Sequence, residues 1–129
     1  MKTIAHVCLL ALAASFPACS KNAEIGHVDG AGAAKLLEED LLITVLDIRT
    51  PDEYAAGHIF GAVNINFNAN DFAAKIKELD TNKRYLVHCK SGGRSGRSLA
   101  TFTELGFTKI VHLDDGFDAW KAAGHPVEK

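Results

Sequence analysis

Three cysteines among 129 residues, at positions 8, 19 and 89, are too few and too scattered for a disulfide-stapled miniprotein. Three prolines and eleven glycines exclude a proline-rich or collagen-like chain, and 47% hydrophobic with 23% charged residues excludes a disordered one. Positive charge is also scarce. Lys and Arg number 14 against 16 Asp and Glu, a net charge of -2, so no global field exists to hold nucleic acid or an anionic bilayer. Any recognition of anions must be local. No Cys-x-x-Cys or His-x3-His spacing offers a zinc site, and neither Gly-x4-Gly-Lys-Ser/Thr nor Gly-x-Gly-x-x-Gly occurs. The expectation is a single globular domain that works without metal or cofactor.

Met1 to Ala18 reads as a signal peptide: Lys2 is its only full charge, and Ile4 to Phe16 is apolar or small except for His6. That run is shorter than the roughly 20 apolar residues of a membrane span. Phe16-Pro17-Ala18-Cys19 resembles the lipobox of bacterial lipoproteins, in which the cysteine is lipidated and becomes the first residue. The resemblance implies export to the periplasm, either lipid-anchored through Cys19 or simply secreted. Ser20 after the cysteine points to the outer membrane in the anchored case. Residues 19–24 form a short tether, and residues 25–129 the folded domain. With Cys8 removed and Cys19 lipidated, Cys89 is the sole remaining thiol, and a lone thiol in an oxidising compartment asks for a reason.

From Glu24 onward, short β-rich runs alternate with segments of helical period. Strands are expected at Ile25 to Val28, Thr44 to Ile48, Ala62 to Ile65, Tyr85 to Cys89 and Ile110 to Leu113. Between them Ala33, Leu36 and Leu37, then Phe72, Ile76 and Leu79, then Leu99, Phe102 and Leu105 recur at helical spacing. Thr50-Pro51-Asp52-Glu53 is a capping box for a short helix that Gly57 stops, and a last helix carries Trp120. The alternation implies an α/β fold, a mainly parallel five-stranded sheet with helices on both faces.

Leu86-Val87-His88-Cys89 runs an apolar strand into Lys90-Ser91-Gly92-Gly93-Arg94-Ser95, which feeds a helix. The cysteine therefore lies at the carboxyl end of a parallel strand, the edge at which open α/β sheets place their sites. Two glycines let several N–H groups converge there, and the helix start adds about half a positive charge. Lys90 and Arg94 add mobile charge, so Cys89 is expected to be a thiolate-forming nucleophile with a pKa below the free value of about 8.5. The bland alternative is a core cysteine followed by an ordinary turn. His88, its neighbour on the strand, faces away from it and is no catalytic base.

The stretch Leu46-Asp47-Ile48-Arg49-Thr50-Pro51-Asp52-Glu53-Tyr54 with Gly57-His58-Ile59-Phe60-Gly61-Ala62, the Cys89 loop, and Asp115-Gly116-Phe117-Asp118-Ala119-Trp120 together resemble the rhodanese-like sulfurtransferases over about Ile25 to Val127. Phe60 stands where that family has proline, and Asp115 where it has the first of two glycines. At Asp115 a modest backbone adjustment is expected, since Asp tolerates the left-handed region. The resemblance implies a rhodanese-like fold and a thiosulfate sulfurtransferase. The Cys89 thiolate would attack the outer sulfur of a small anionic donor, and the persulfide would pass its sulfur to a thiol or cyanide. Backbone amides of Lys90, Ser91, Gly92, Gly93 and Ser95 would hold the persulfide anion.

Lys90 either contacts the donor or is a solvated lysine. Arg94 either binds the donor or braces the loop through a carboxylate, since a guanidinium fork suits both. By resemblance Asp47 and Arg49 shape the site, with Arg49 reaching towards the donor. Glu53 serves its capping box, and His58 a loop-stabilising hydrogen bond. Two other functions compete: a persulfide carrier or docking module without efficient turnover, and a cysteine phosphatase or arsenate reductase of related architecture. Four residues separate Cys89 from Arg94, one fewer than the phosphatase pattern, which implies a cradle for one sulfur atom rather than a phosphate.

Overall fold

A computed structural model describes residue 15 and residues 23–129 of the chain. Apart from Ser15, the signal segment and Cys19 lie outside the described residues. The elements in chain order are β1 (Glu24–Val28), α1 (Gly30–Glu39), β2 (Thr44–Asp47), α2 (Pro51–Ala56), β3 (His58–Ile59), β4 (Val63–Asn64), α3 (Phe72–Lys77), β5 (Tyr85–His88), α4 (Gly93–Glu104), β6 (Lys109–Leu113), α5 (Gly116–Ala122) and β7 (Val127–Glu128). All five expected strands form, with ends shifted by a residue or so. Glu24, expected in the tether, already pairs with Lys109 in the sheet.

Strand order is β1-β6-β5-β2-β4, and every neighbouring pair is parallel. The carboxyl ends of β2, β5 and β6 therefore lie side by side on one edge. Alternation along the strands sorts the core into two layers. Val87, Cys89 and Ile110 pack with Phe72, Ile76 and Phe102 under α3 and α4. Leu86, Val111 and Leu113 pack on the other face with Ala33, Phe117 and Trp120 under α1 and α5. Buried apolar area of this kind supplies most of the stabilisation of such a domain.

Local signals start the helices. Asp29 caps α1 by accepting from the Gly32 amide at 2.8 Å. Thr50 and Glu53 make both halves of the capping box around Pro51. Two strands were not expected: β3 and β7 pair antiparallel, His58 opposite Glu128 and Ile59 opposite Val127. Strands of two residues carry no period to read. Phe60, in the turn after β3, is 75% exposed, so its bulk disturbs no packing. Asp115 corrects the expectation of a local adjustment, because its φ is -93° and right-handed. The left-handed residue is the next one, Gly116, at φ 70°.

Candidate active site

Cys89 is the first residue after β5, and its side chain is only 1% exposed, on the floor of the loop that follows. The sulfur accepts from the Gly92 amide at 3.1 Å and, once ionised, from the Ser95 hydroxyl at 3.3 Å. Gly92, with φ 102°, is the residue before α4, and that helix has no side-chain cap and no acidic residue in its first turn. The thiol thus stands where a cap would, at the positive end of a twelve-residue helix. Burial pushes the thiol pKa up, but the Ser95 hydroxyl and the amides of Ser95, Ser91 and Gly92 outweigh it, so the group is held below its ordinary value. The sequence predicted this direction. It also predicted amides from Lys90 onward, of which Gly92 lies within hydrogen-bond distance of the sulfur.

Two glycines make the loop possible. A Cβ on Gly92 would lie 2.1 Å from the Asp114 carbonyl oxygen, and one on Gly116 would lie 2.5 Å from that of Lys90. At these contacts the segment between β6 and α5 closes over the loop. The amides of Phe117 and Asp118 donate to the carbonyls of Cys89 and Lys90 at 2.9 and 3.0 Å. Gly93, also expected to bend the chain, is an exposed helical residue with no positive φ and needs no such freedom.

Arg49 corrects the sequence reading. It is 4% exposed, and its guanidinium grips the fully buried Asp47 through Nε and Nη2, donates to the Gly57 carbonyl at 2.7 Å, and lies 4.0 Å over the Phe117 ring. It joins β2 to α5 instead of reaching for a donor. Asp47 is fully buried and holds Arg49 in place. Arg94 takes the bracing alternative: its two terminal nitrogens donate to the two oxygens of Glu53 at 2.8 and 2.9 Å. Lys90 is exposed, with a loose ion pair to Asp118 at 3.7 Å. His58 does stabilise its loop, bonded to the Tyr54 carbonyl and to Glu128 and stacked on the Tyr54 ring. His88 lies on the face opposite Cys89 against Phe117, and burial pushes its pKa down despite nearby Asp47. An apolar groove of about 420 Å³ beside α1, lined by Leu37, Leu41, Phe60 and Trp120, includes no residue of the cysteine loop.

Glu53 sits between two jobs, capping α2 and bracing α4. Its hydrogen bonds from Arg94 lower its pKa from 4.5 to about 2, against the opposing effect of burial. A carboxylate depressed on folding contributes stability that is complete above about pH 4.5 and lost as pH falls towards about 2. Glu53→Gln is therefore expected to lower the melting temperature at pH 7 and to flatten its fall between those two values. Melting curves of both proteins across that range check it.

The sequence reading missed three residues. The Ser95 hydroxyl lies 2.6 Å from Nε2 of His112, whose Nδ1 lies 2.6 Å from Asp114 Oδ1, and His27 Nδ1 reaches the same oxygen at 2.7 Å. Parity along β6 carried the signal: His112 is two residues beyond Ile110, which faces the Cys89 side. His27, His112 and Asp114 are the one convergent trio of metal-type donors among the described residues. Their spacings are those of hydrogen bonds onto one carboxylate oxygen.

The rhodanese-like domain family matches residues 29–123. The putative sulfurtransferase YtwF of Bacillus subtilis is 33% identical over 103 residues, covering 80% of this chain and 97% of that protein. The thiosulfate sulfurtransferase GlpE of Pseudomonas fluorescens is 38% identical over 85 residues, covering 65% of this chain and 74% of that protein. Among solved structures, a rhodanese-related protein of Thermoplasma volcanium superposes with a TM-score of 0.70 at 30% identity, covering 80% of this chain and 97% of that one. A five-stranded parallel sheet, a cysteine at its carboxyl edge and a family match across most of its length lead to one conclusion: this chain belongs to the rhodanese-like domain family.

Proposed function

We propose that the protein moves a sulfane sulfur from thiosulfate, or a similar small anionic donor, to a thiol or cyanide through a persulfide on Cys89. This narrows the general sulfurtransferase character of its family to one donor class and one nucleophile. The observation that carries it is the Cys89 sulfur inside a ring of donors, from Gly92 N at 3.1 Å and Ser95 Oγ at 3.3 Å, at the start of α4. The thiolate attacks the outer sulfur of the donor, the S–S bond to the sulfonate breaks, and sulfite leaves with that electron pair. An acceptor thiolate or cyanide then takes the outer sulfur and returns Cys89 to its thiolate. Charge balances in both steps without a metal or redox partner. Exposed Lys90 supplies positive charge near the loop for a dianionic donor. Arg94 is engaged by Glu53, which favours sulfur transfer over the phosphatase reading, where the arginine must hold phosphate oxygens.

Intact mass after treatment with thiosulfate tests the reading. One added sulfur, removed by cyanide with release of thiocyanate at repeated turnover, is the expected result. Persulfide without turnover would make the chain a carrier, and hydrolysis of aryl phosphates faster than thiocyanate formation would replace sulfur transfer altogether. We further propose that the chain is exported and lipid-anchored through Cys19.

A further inference from the structure

Four side chains, from α4, β6 and the residues that follow β5 and β6, form one unbroken hydrogen-bonded line behind the nucleophile. The Cys89 sulfur meets the Ser95 hydroxyl at 3.3 Å, that hydroxyl meets His112 Nε2 at 2.6 Å, and His112 Nδ1 meets Asp114 at 2.6 Å. Cys89, Ser95 and His112 are buried, whereas Asp114 is half exposed. Asp114 also holds His27 on β1.

The carboxylate settles the tautomer. Asp114 can only accept, so Nδ1 carries the proton and Nε2 offers a lone pair to Ser95. The short contact to Nε2 then takes the serine proton, leaving the serine oxygen free to accept from the thiol. We propose that His112, acting through the Ser95 hydroxyl, takes up the proton that leaves the Cys89 thiol, with Asp114 fixing the ring for that purpose. The balance is simple. The thiol S–H bond breaks and its proton passes to Ser95 Oγ, while the serine proton passes to His112 Nε2. A neutral thiol and imidazole become a thiolate and an imidazolium, and no proton leaves the protein. The serine hydroxyl now donates to the sulfur, as a persulfide anion also requires. His112 is thus a positioning residue for charge, one residue removed from the sulfur.

The surroundings suit this role. Burial pushes the His112 pKa down, so the ring starts neutral, while Asp114 on Nδ1 opposes that shift and stabilises the imidazolium once it forms. Around it the titratable groups are Asp114 on its own segment, His27 on β1, His88 on the far side of β5, and Cys89 beyond Ser95. The cations of the α4 start are directed elsewhere, Arg94 to Glu53 and Arg97 over the Phe67 ring. Among the described residues Arg94, though paired with Glu53, still attracts the thiolate through space, so its charge adds to that of His112.

The proposal rests on Cys89 as the nucleophile, yet it can be tested without sulfur transfer. The Cβ carbon-13 resonance of Cys89, assigned by Cys89→Ser, follows thiolate formation in the full chain with EDTA present. The natural protein should titrate below the free value, as a coupled pair. His112→Asn should raise that midpoint by about one unit, a tenfold loss of thiolate at acidic pH. Asp114→Asn should move it in the same direction, and it guards against a His112 variant that fails to fold. The rate of thiocyanate formation should fall tenfold below the midpoint and recover above it, a pattern that simple loss of structure does not give. An unmoved midpoint in both folded variants overturns the relay and leaves sulfur transfer standing. A shifted midpoint in a protein that never forms persulfide overturns sulfur transfer and leaves the relay.

Discussion

Cys89→Ser is expected to form no measurable thiocyanate from thiosulfate and cyanide while melting within a few degrees of the natural protein. The two outcomes have separate causes. Serine is nearly isosteric, and its oxygen can still accept from the Gly92 amide and meet the Ser95 hydroxyl, so the cradle keeps its contacts. Its hydroxyl, however, does not ionise near neutral pH and cannot carry a transferable sulfur. Loss of a positioning group such as His112 slows the reaction in proportion to the thiolate lost, whereas loss of the nucleophile removes the covalent route itself. Thiocyanate assays beside thermal melts check both halves, and turnover retained by the serine variant would assign the chemistry to another residue.

Arg49→Ala is expected to cost about 3–5 kcal/mol of stability, because it leaves Asp47 as an uncompensated charge in the interior. Asp47 is 0% exposed and takes its side-chain charge neutralisation from Arg49. For a domain whose total stability is about 5–15 kcal/mol, that change brings it close to unfolding. Removal of Arg49 also strips the Gly57 carbonyl of its donor and the Phe117 ring of its cation. Urea unfolding measures the loss, and replacing Asp47 by Asn in the same chain should return part of it. An arginine that reached the donor would behave otherwise, raising the KM for thiosulfate at unchanged urea midpoint.

Arg49 also shows where sequence reasoning reaches its limit. Its position at the end of β2, on the same edge as Cys89, was legible from strand period and parallel topology. The direction of its side chain was not, since besides nearby Asp47 it is held by Gly57 and Phe117, which come from other parts of the chain. The same division runs through the site. The cysteine, the left-handed Gly92 and the helix start lie within a few residues of one another, so local rules find them. The pairs Glu53 with Arg94 and Ser95 with His112 span 41 and 17 residues, and only the fold brings them together. A carboxylate brace for Arg94 could be expected in kind, but which carboxylate supplies it required the packing of α2 against α4.

The two glycine contacts also set a clock for the nucleophile. Everything that closes the cradle from outside, the Asp114 carbonyl against Gly92 and the amides of Phe117 and Asp118 on the carbonyls of Cys89 and Lys90, belongs to residues made after the cysteine. His112, at the end of the Ser95 contact, is made later still than Ser95 itself. A chain delivered amino end first, from a ribosome at about 5–20 residues per second or across a membrane, therefore presents the thiol before the segment that closes over it. During that interval the Cys89 loop lacks the contacts that close it from outside. The closed cradle is complete only with α5, whose amides hold the carbonyls on either side of the buried sulfur.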